Sequence, residues 1–124
     1  TEIKTTLQSA RASWPGQRIV GIFQPHRFTR TQALFDEFTR AFYETDRLIL
    51  VPIYSAGETE IPGISHTLLC EGIQAHGHKN VTCAESFESA LAFLQEHVRT
   101  GYLVITMGAG DIWKLGEHLL EQLT

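Results

Sequence analysis

Apolar positions along the chain switch repeatedly between a helical and an extended rhythm. Ile3, Leu7, Ala10 and Trp14 recur at helical spacing, and Pro15-Gly16 then stops the helix they predict. Arg18 to Phe23 is a short apolar run rich in β-branched residues, the pattern of a buried strand. Leu34, Phe35, Phe38 and Phe42 mark a second amphipathic helix, and Leu48 to Ile53 a second buried strand. Tyr54 to Gly63 carries Gly and Pro and reads as a loop. Ser65 to Ala75 follows as a third helix, then Asn80 to Cys83 as a short strand. Phe87, Ala90, Leu91, Leu94 and Val98 form a fourth helical stripe, with Ser86 placed to cap it. Tyr102 to Met107 is the last strand, and Ile112, Leu115, Leu119, Leu120 and Leu123 predict a closing helix.

The resulting order, α-β-α-β-α-β-α-β-α, gives an α/β fold class. Buried strands separated by helix-length crossovers form a mainly parallel sheet with helices on both faces, a three-layer α-β-α domain. Nothing repeats and no linker interrupts the pattern, so residues 1–124 form a single domain. In such sheets ligands gather beyond the carboxyl ends of the strands. Three segments occupy those ends: Gln24 to Thr31, Tyr54 to Glu60, and Gly108 to Asp111.

Composition narrows the function. The 124 residues carry 14 acids against 10 bases, a net charge of −4, which lacks the basic footprint of a nucleic-acid-binding module. Cys70 and Cys83 form neither a disulfide framework nor a CxxC pair, and read as buried, reduced thiols of a cytoplasmic protein. No apolar run reaches the ~18 residues of a membrane span, and no signal peptide is visible. The start at Thr1 rather than Met predicts a piece of a longer chain.

The most informative stretch is Gln24-Pro25-His26-Arg27-Phe28-Thr29-Arg30-Thr31. Thr29 with Gln32 three residues on fits a capping box, which places Arg30 in the first helical turn. Cations are the wrong charge for a helix amino terminus, so a histidine and two arginines gathered there call for an anion. Arg30 shares a face with Leu34 and Phe38, which leans it over the sheet. A carboxylate or phosphate held by the arginine forks and free helix amides is the ligand that chemistry fits. The competing expectation is surface ion pairing of the arginines with Asp36, Glu37 or Glu58.

Gly108-Ala109-Gly110-Asp111 follows the last strand. Its glycines permit close approach of a ligand, and Asp111 equally suits a helix cap on a simple strand-to-helix turn. It is no dinucleotide fingerprint, because the third glycine position holds Trp113. Ser55 lies in no nucleophile elbow. His76-Gly77-His78 reads as a solvated helix end rather than a metal site, and His66, His97 and His118 as helix-surface or cap residues. Trp14 and Trp113 read as packing residues. No phosphate loop, magnesium-binding acid cluster or nucleophile–base pair is present, so the chain alone reads as a carboxylate-binding domain without catalytic residues of its own.

Phe23-Gln24-Pro25-His26-Arg27-Phe28-Thr29-Arg30-Thr31, Leu34-Phe35-Asp36-Glu37-Phe38, Tyr54-Ser55-Ala56-Gly57-Glu58 and Gly108-Ala109-Gly110-Asp111-Ile112 fall in one order and spacing. Together they resemble the C-terminal domain of the Mur ligases, most closely the members that join L-alanine to UDP-N-acetylmuramate. The resemblance covers essentially the whole chain, and the PHR(F/Y)xRT segment is its most specific part. It implies a Rossmann-like domain of a three-domain, cytoplasmic, ATP- and magnesium-dependent enzyme of peptidoglycan synthesis. The UDP-sugar and ATP would be held mainly by N-terminal and central domains outside this chain, on which this domain docks. Arg27 and Arg30 would grip the L-alanine carboxylate, with His26 and Gly108, Ala109, Gly110 and Asp111 lining the pocket and Thr29 and Glu58 in support. The family's strand and DDYxHHP-type segment would precede Thr1, so the piece alone is expected to be inactive. A murein-peptide recycling ligase and a stand-alone carboxylate-binding module are the alternatives. A receiver domain is excluded, because the strand ends that would need acids read Gln24-Pro25 and Tyr54-Ser55.

Overall fold

The computed structural model describes residues 2–108. The expected closing helix, with Trp113 and His118, and the positions Ala109, Gly110 and Asp111 lie outside them. The order is α1 (Glu2–Ser13), β1 (Ile19–Gln24), α2 (Phe28–Phe38), β2 (Arg47–Leu50), α3 (His66–Ala75), β3 (Val81–Cys83), α4 (Phe87–His97) and β4 (Leu103–Gly108). The four strands are all parallel, in the order β3-β2-β1-β4, with Val20 opposite Arg47 and Gln24 opposite Gly108.

Strand periodicity sorts the core into two layers. Ile19, Phe23, Leu48, Leu50, Val81 and Met107 join Leu7 and Ala10 of α1 and Leu69, Cys70 and Ile73 of α3, with Phe35 and Phe38 of α2 against them. Val20, Ile22, Ile49 and Val51 point the other way, onto Ala90 and Leu94 of α4. The chain adds β2 and β3 on one side of β1 and then crosses to add β4 on the other. A crossover of fixed hand puts its helix on the opposite face when the direction of addition reverses, which accounts for α4 standing apart from α1, α2 and α3. The reversal leaves a crevice beyond the ends of β1 and β4.

Local details correct several expectations. Thr29 is not a cap: α2 begins at Phe28, its N-cap Arg27 makes no side-chain capping bond, and Phe42 lies past its end. After Phe38 the turn tightens, with Arg40 donating to Glu37 O and Ala41 to Phe38 O, and this drops Phe42 into the core at 1% exposure. β2 ends at Leu50 because Pro52, two residues on, has no N–H for the ladder. Serines cap α3 and α4, the latter as expected. Ser65 accepts from Leu68 N–H at the start of α3, and Ser86 and Ser89 form a reciprocal box at α4. α2 and α3 touch at Gly72, where a Cβ would stand 2.8 Å from Thr39 Cγ2.

Burial differs from expectation at four residues. Trp14, just past the end of α1, is 47% exposed. Cys83 is half-buried beside Thr67, while Cys70 is buried, and both are free thiols. His78, expected in solvent, is 7% exposed. The turn after α3 folds it against the residues just ahead of β2, where its ring meets the Thr45 hydroxyl at 2.8 Å and the Thr45 carbonyl at 3.1 Å. His66 opens α3 with Nε2 2.8 Å from Ala84 O, a half-buried tether rather than a surface residue.

Candidate functional site

The crevice at the strand-order reversal holds a cavity of about 270 Å³. Its floor is Gln24 and Gly108, the last residues of β1 and β4. His26 and Arg30 supply its polar side, and Ile3, Phe23 and Phe38 its apolar wall. Arg30 and Phe38 stand two helical turns apart on one face of α2, as the periodicity required.

Gly108 lies so close to β1 that a Cβ would land on the Gln24 carbonyl oxygen, and its φ of 115° favours glycine in any case. Gln24 is buried, and its side-chain amide donates to Pro52 O at 3.2 Å, tying the ends of β1 and β2 together.

Beyond that tie the two loops are zipped. Tyr54 N–H donates to Pro25 O at 2.9 Å and Arg27 N–H donates to Tyr54 O at 2.7 Å. The His26 ring stacks on Tyr54 with centroids 5.5 Å apart and an 18° tilt. Arg27 takes the left-handed side of backbone space, with φ of 67°.

His26, Arg30 and Gly108 therefore meet around one cavity. Arg27 does not line it; its half-exposed guanidinium lies 3.9 Å from the Glu58 carboxylate. Among the described residues Arg30 makes no ion pair or side-chain hydrogen bond, and Asp36 pairs with Arg40 instead, at 2.7 Å. The expected pairing with Glu58 thus holds loosely for Arg27 alone.

The free helix amides of the anion argument need correction. Glu58 Oε1 already accepts the Thr29 N–H at 3.1 Å, and Oε2 accepts the Thr29 hydroxyl at 2.7 Å. These bonds, with Arg27 nearby, hold the Glu58 carboxyl below its ordinary value. The amino terminus of α2 carries an internal carboxylate, so recognition of an external anion falls to the guanidinium forks. Pattern reading missed Ile3 in the wall, since helical periodicity says that a side chain is buried but not beside what. Nothing in the local sequence signals the positive φ of Arg27.

Fold and site define a Rossmann-like α/β domain whose cavity lies at the strand-order reversal. The family described as Mur ligase, glutamate ligase domain matches residues 1–110, and the chain belongs to it. A UDP-N-acetylmuramate–L-alanine ligase from Desulforapulum autotrophicum is 58% identical over 99% of this chain and 27% of its own length. Another so named, from Desulfosudis oleivorans, is 52% identical over 98% of this chain and 26% of its own. The chain thus spans about a quarter of the length of these relatives. Among solved structures, a murein peptide ligase from Psychrobacter arcticus shares the fold, with TM-score 0.71 and 17% identity over 97% of this chain and 24% of that one.

Proposed function

We propose that this chain is the amino-acid-binding C-terminal domain of a UDP-N-acetylmuramate–L-alanine ligase acting in the bacterial cytoplasm on peptidoglycan precursors. The observation that carries the reading is Arg30, a guanidinium without a protein partner among the described residues, set over a small half-apolar cavity at the strand ends. The identity with ligases of that name supports it.

In this reading Arg30, with Arg27 from the N-cap of α2, takes the L-alanine carboxylate in charge-assisted hydrogen bonds. His26 flanks the carboxylate. The wall of Ile3, Phe23 and Phe38 excludes water and receives the methyl group. Held by its carboxylate, the amino acid presents its amine to the carboxyl carbon of UDP-N-acetylmuramate, activated as an acyl phosphate. The C–N bond forms as phosphate leaves, and the amine proton is lost. ATP and magnesium supply the activation from domains outside this chain. This domain's contribution is orientation and closure, which convert a bimolecular attack into a positioned one.

The test uses the full-length protein and follows ADP release with UDP-N-acetylmuramate as L-alanine is varied. Strict alanine dependence is expected, with Arg30→Ala weakening the apparent alanine affinity at least tenfold, about 1.4 kcal/mol. Release that needs a peptide instead of alanine would transfer the domain to a recycling ligase. Alanine dependence untouched by Arg30→Ala would remove the carboxylate site. The 124-residue chain alone is expected to release no ADP.

A further inference from the structure

Arg27 and Ala56 lie in the two zipped loops, and both are non-glycine residues at positive φ, 67° and 52°. Conformations that L residues avoid persist only where the surroundings over-determine them, and they gather at sites that need a fixed geometry. What over-determines Arg27 comes from a loop far downstream in the chain. Tyr54 O holds its amide, and Glu58 holds the next turn through the Thr29 amide and hydroxyl.

Both Glu58 oxygens are engaged with α2 or with Arg27. Its side chain is only about one-fifth exposed (21%), and it is not among the residues of the cavity wall. Its carboxylate is turned to α2 and not to the cavity.

We infer that Glu58 is a positioning residue: by clamping the amino terminus of α2 it fixes Arg27 and Arg30 in the arrangement that receives an amino-acid carboxylate. It does so without touching the amino acid. The inference rests on the carboxylate reading of those arginines. It also assigns the Tyr54–Glu58 loop a purpose, since that loop supplies the acid that the first turn of α2 lacks.

The experiment uses the full-length ligase and measures KM for L-alanine and for ATP side by side. Glu58→Ala is expected to raise the alanine KM at least fivefold, with kcat falling less and the ATP KM within twofold. Glu58→Gln should recover most of the loss, because its amide oxygen still accepts the Thr29 N–H. Thr29→Val, which removes only the hydroxyl bond, serves where Glu58→Ala does not fold, and should raise the alanine KM at least twofold.

In a protein carrying Arg27→Ala and Arg30→Ala together, Glu58→Ala should add less than twofold, since its effect runs through those side chains. An undiminished further loss there would make Glu58 a substrate contact and overturn the inference. So would unchanged alanine KM in Glu58→Ala and Thr29→Val while Arg30→Ala raises it. An Arg30→Ala protein with unchanged alanine KM would instead sink the carboxylate reading, and this inference with it.

Discussion

Gly108 closes β4 directly against Gln24, the residue that closes β1, and leaves no room for a side chain between the two backbones. Gly108→Ala combines an unfavourable φ with an overlap on the Gln24 carbonyl, so β4 must shift or the pairing must open. A loss of at least about 2 kcal/mol in urea unfolding is expected, within the range of strained backbone substitutions. If the proposed carboxylate site holds, alanine affinity of the full-length protein should fall as well, because the cavity floor moves. A fully stable Gly108→Ala protein would show that the strand end relaxes without strain.

His78 should make stability sensitive to mild acid. Asn80 N–H donates to its Nδ1 at 3.2 Å, so the proton resides on Nε2, which faces the Thr45 carbonyl and hydroxyl. Burial pushes its pKa down, against hydrogen bonds and the nearby Asp46 carboxylate that push it up. The neutral ring belongs to the folded state, whereas the unfolded chain binds a proton below about pH 6.5. Stability should therefore be full above that pH and decline as pH falls toward the depressed folded value. One proton limits the slope to about 1.4 kcal/mol per pH unit. Urea midpoints at pH 7.5 and 5.5 test this, and His78→Gln should flatten the difference.

Asp46 anchors α1, the helix that brings Ile3 to the cavity. Its Oδ2 accepts Ile19 N–H at 2.7 Å and Arg11 at 3.0 Å, while Arg11 also donates to Gln17 O and Glu44 O. Burial raises the Asp46 pKa, but the Ile19 amide and Arg11 outweigh it and hold the carboxyl below its ordinary value. That stabilisation is present above about pH 4 and is lost in stronger acid, a window below that of His78. Asp46→Ala should cost about 1–2 kcal/mol, a modest sum for groups one-third exposed. Faster hydrogen exchange in α1 than in β2 would register the loosened anchor, and unchanged α1 exchange would count against it.

The two cysteines should differ in reactivity. Burial pushes the Cys70 thiol far up, with Cys83 adding to the effect, so little thiolate forms near neutral pH. Half-buried Cys83 should react first with a neutral thiol reagent, and Cys70 only as the domain unfolds globally. Equal rates under native conditions would show that α3 opens locally.

Much of the fold was legible because parallel strands buried on both faces leave short apolar runs, and helices leave three- and four-residue spacing. Ser86 was equally readable as a cap, since it bonds an amide three residues away. The cap of α2 was not, because Thr29 looks like the capping residue until Glu58 arrives from another loop. His78 looked solvated because a Gly-flanked polar turn carries no record of the residues it folds beneath.

Among residues 2–108 the sequence by itself determined which segments are helix and strand, the layering of the core, and the gathering of His26, Arg27 and Arg30 after the first strand. These follow from contacts within a turn or two, and from the burial pattern each strand imposes on its own side chains. Only the tertiary structure decided that Arg30 lines the cavity while Arg27 does not, that Ile3 forms part of the wall, and that α2 is capped from outside. Those outcomes depend on strand order and on loops meeting beyond the sheet. Their physical origin is contact between residues far apart in the chain, which no local pattern encodes.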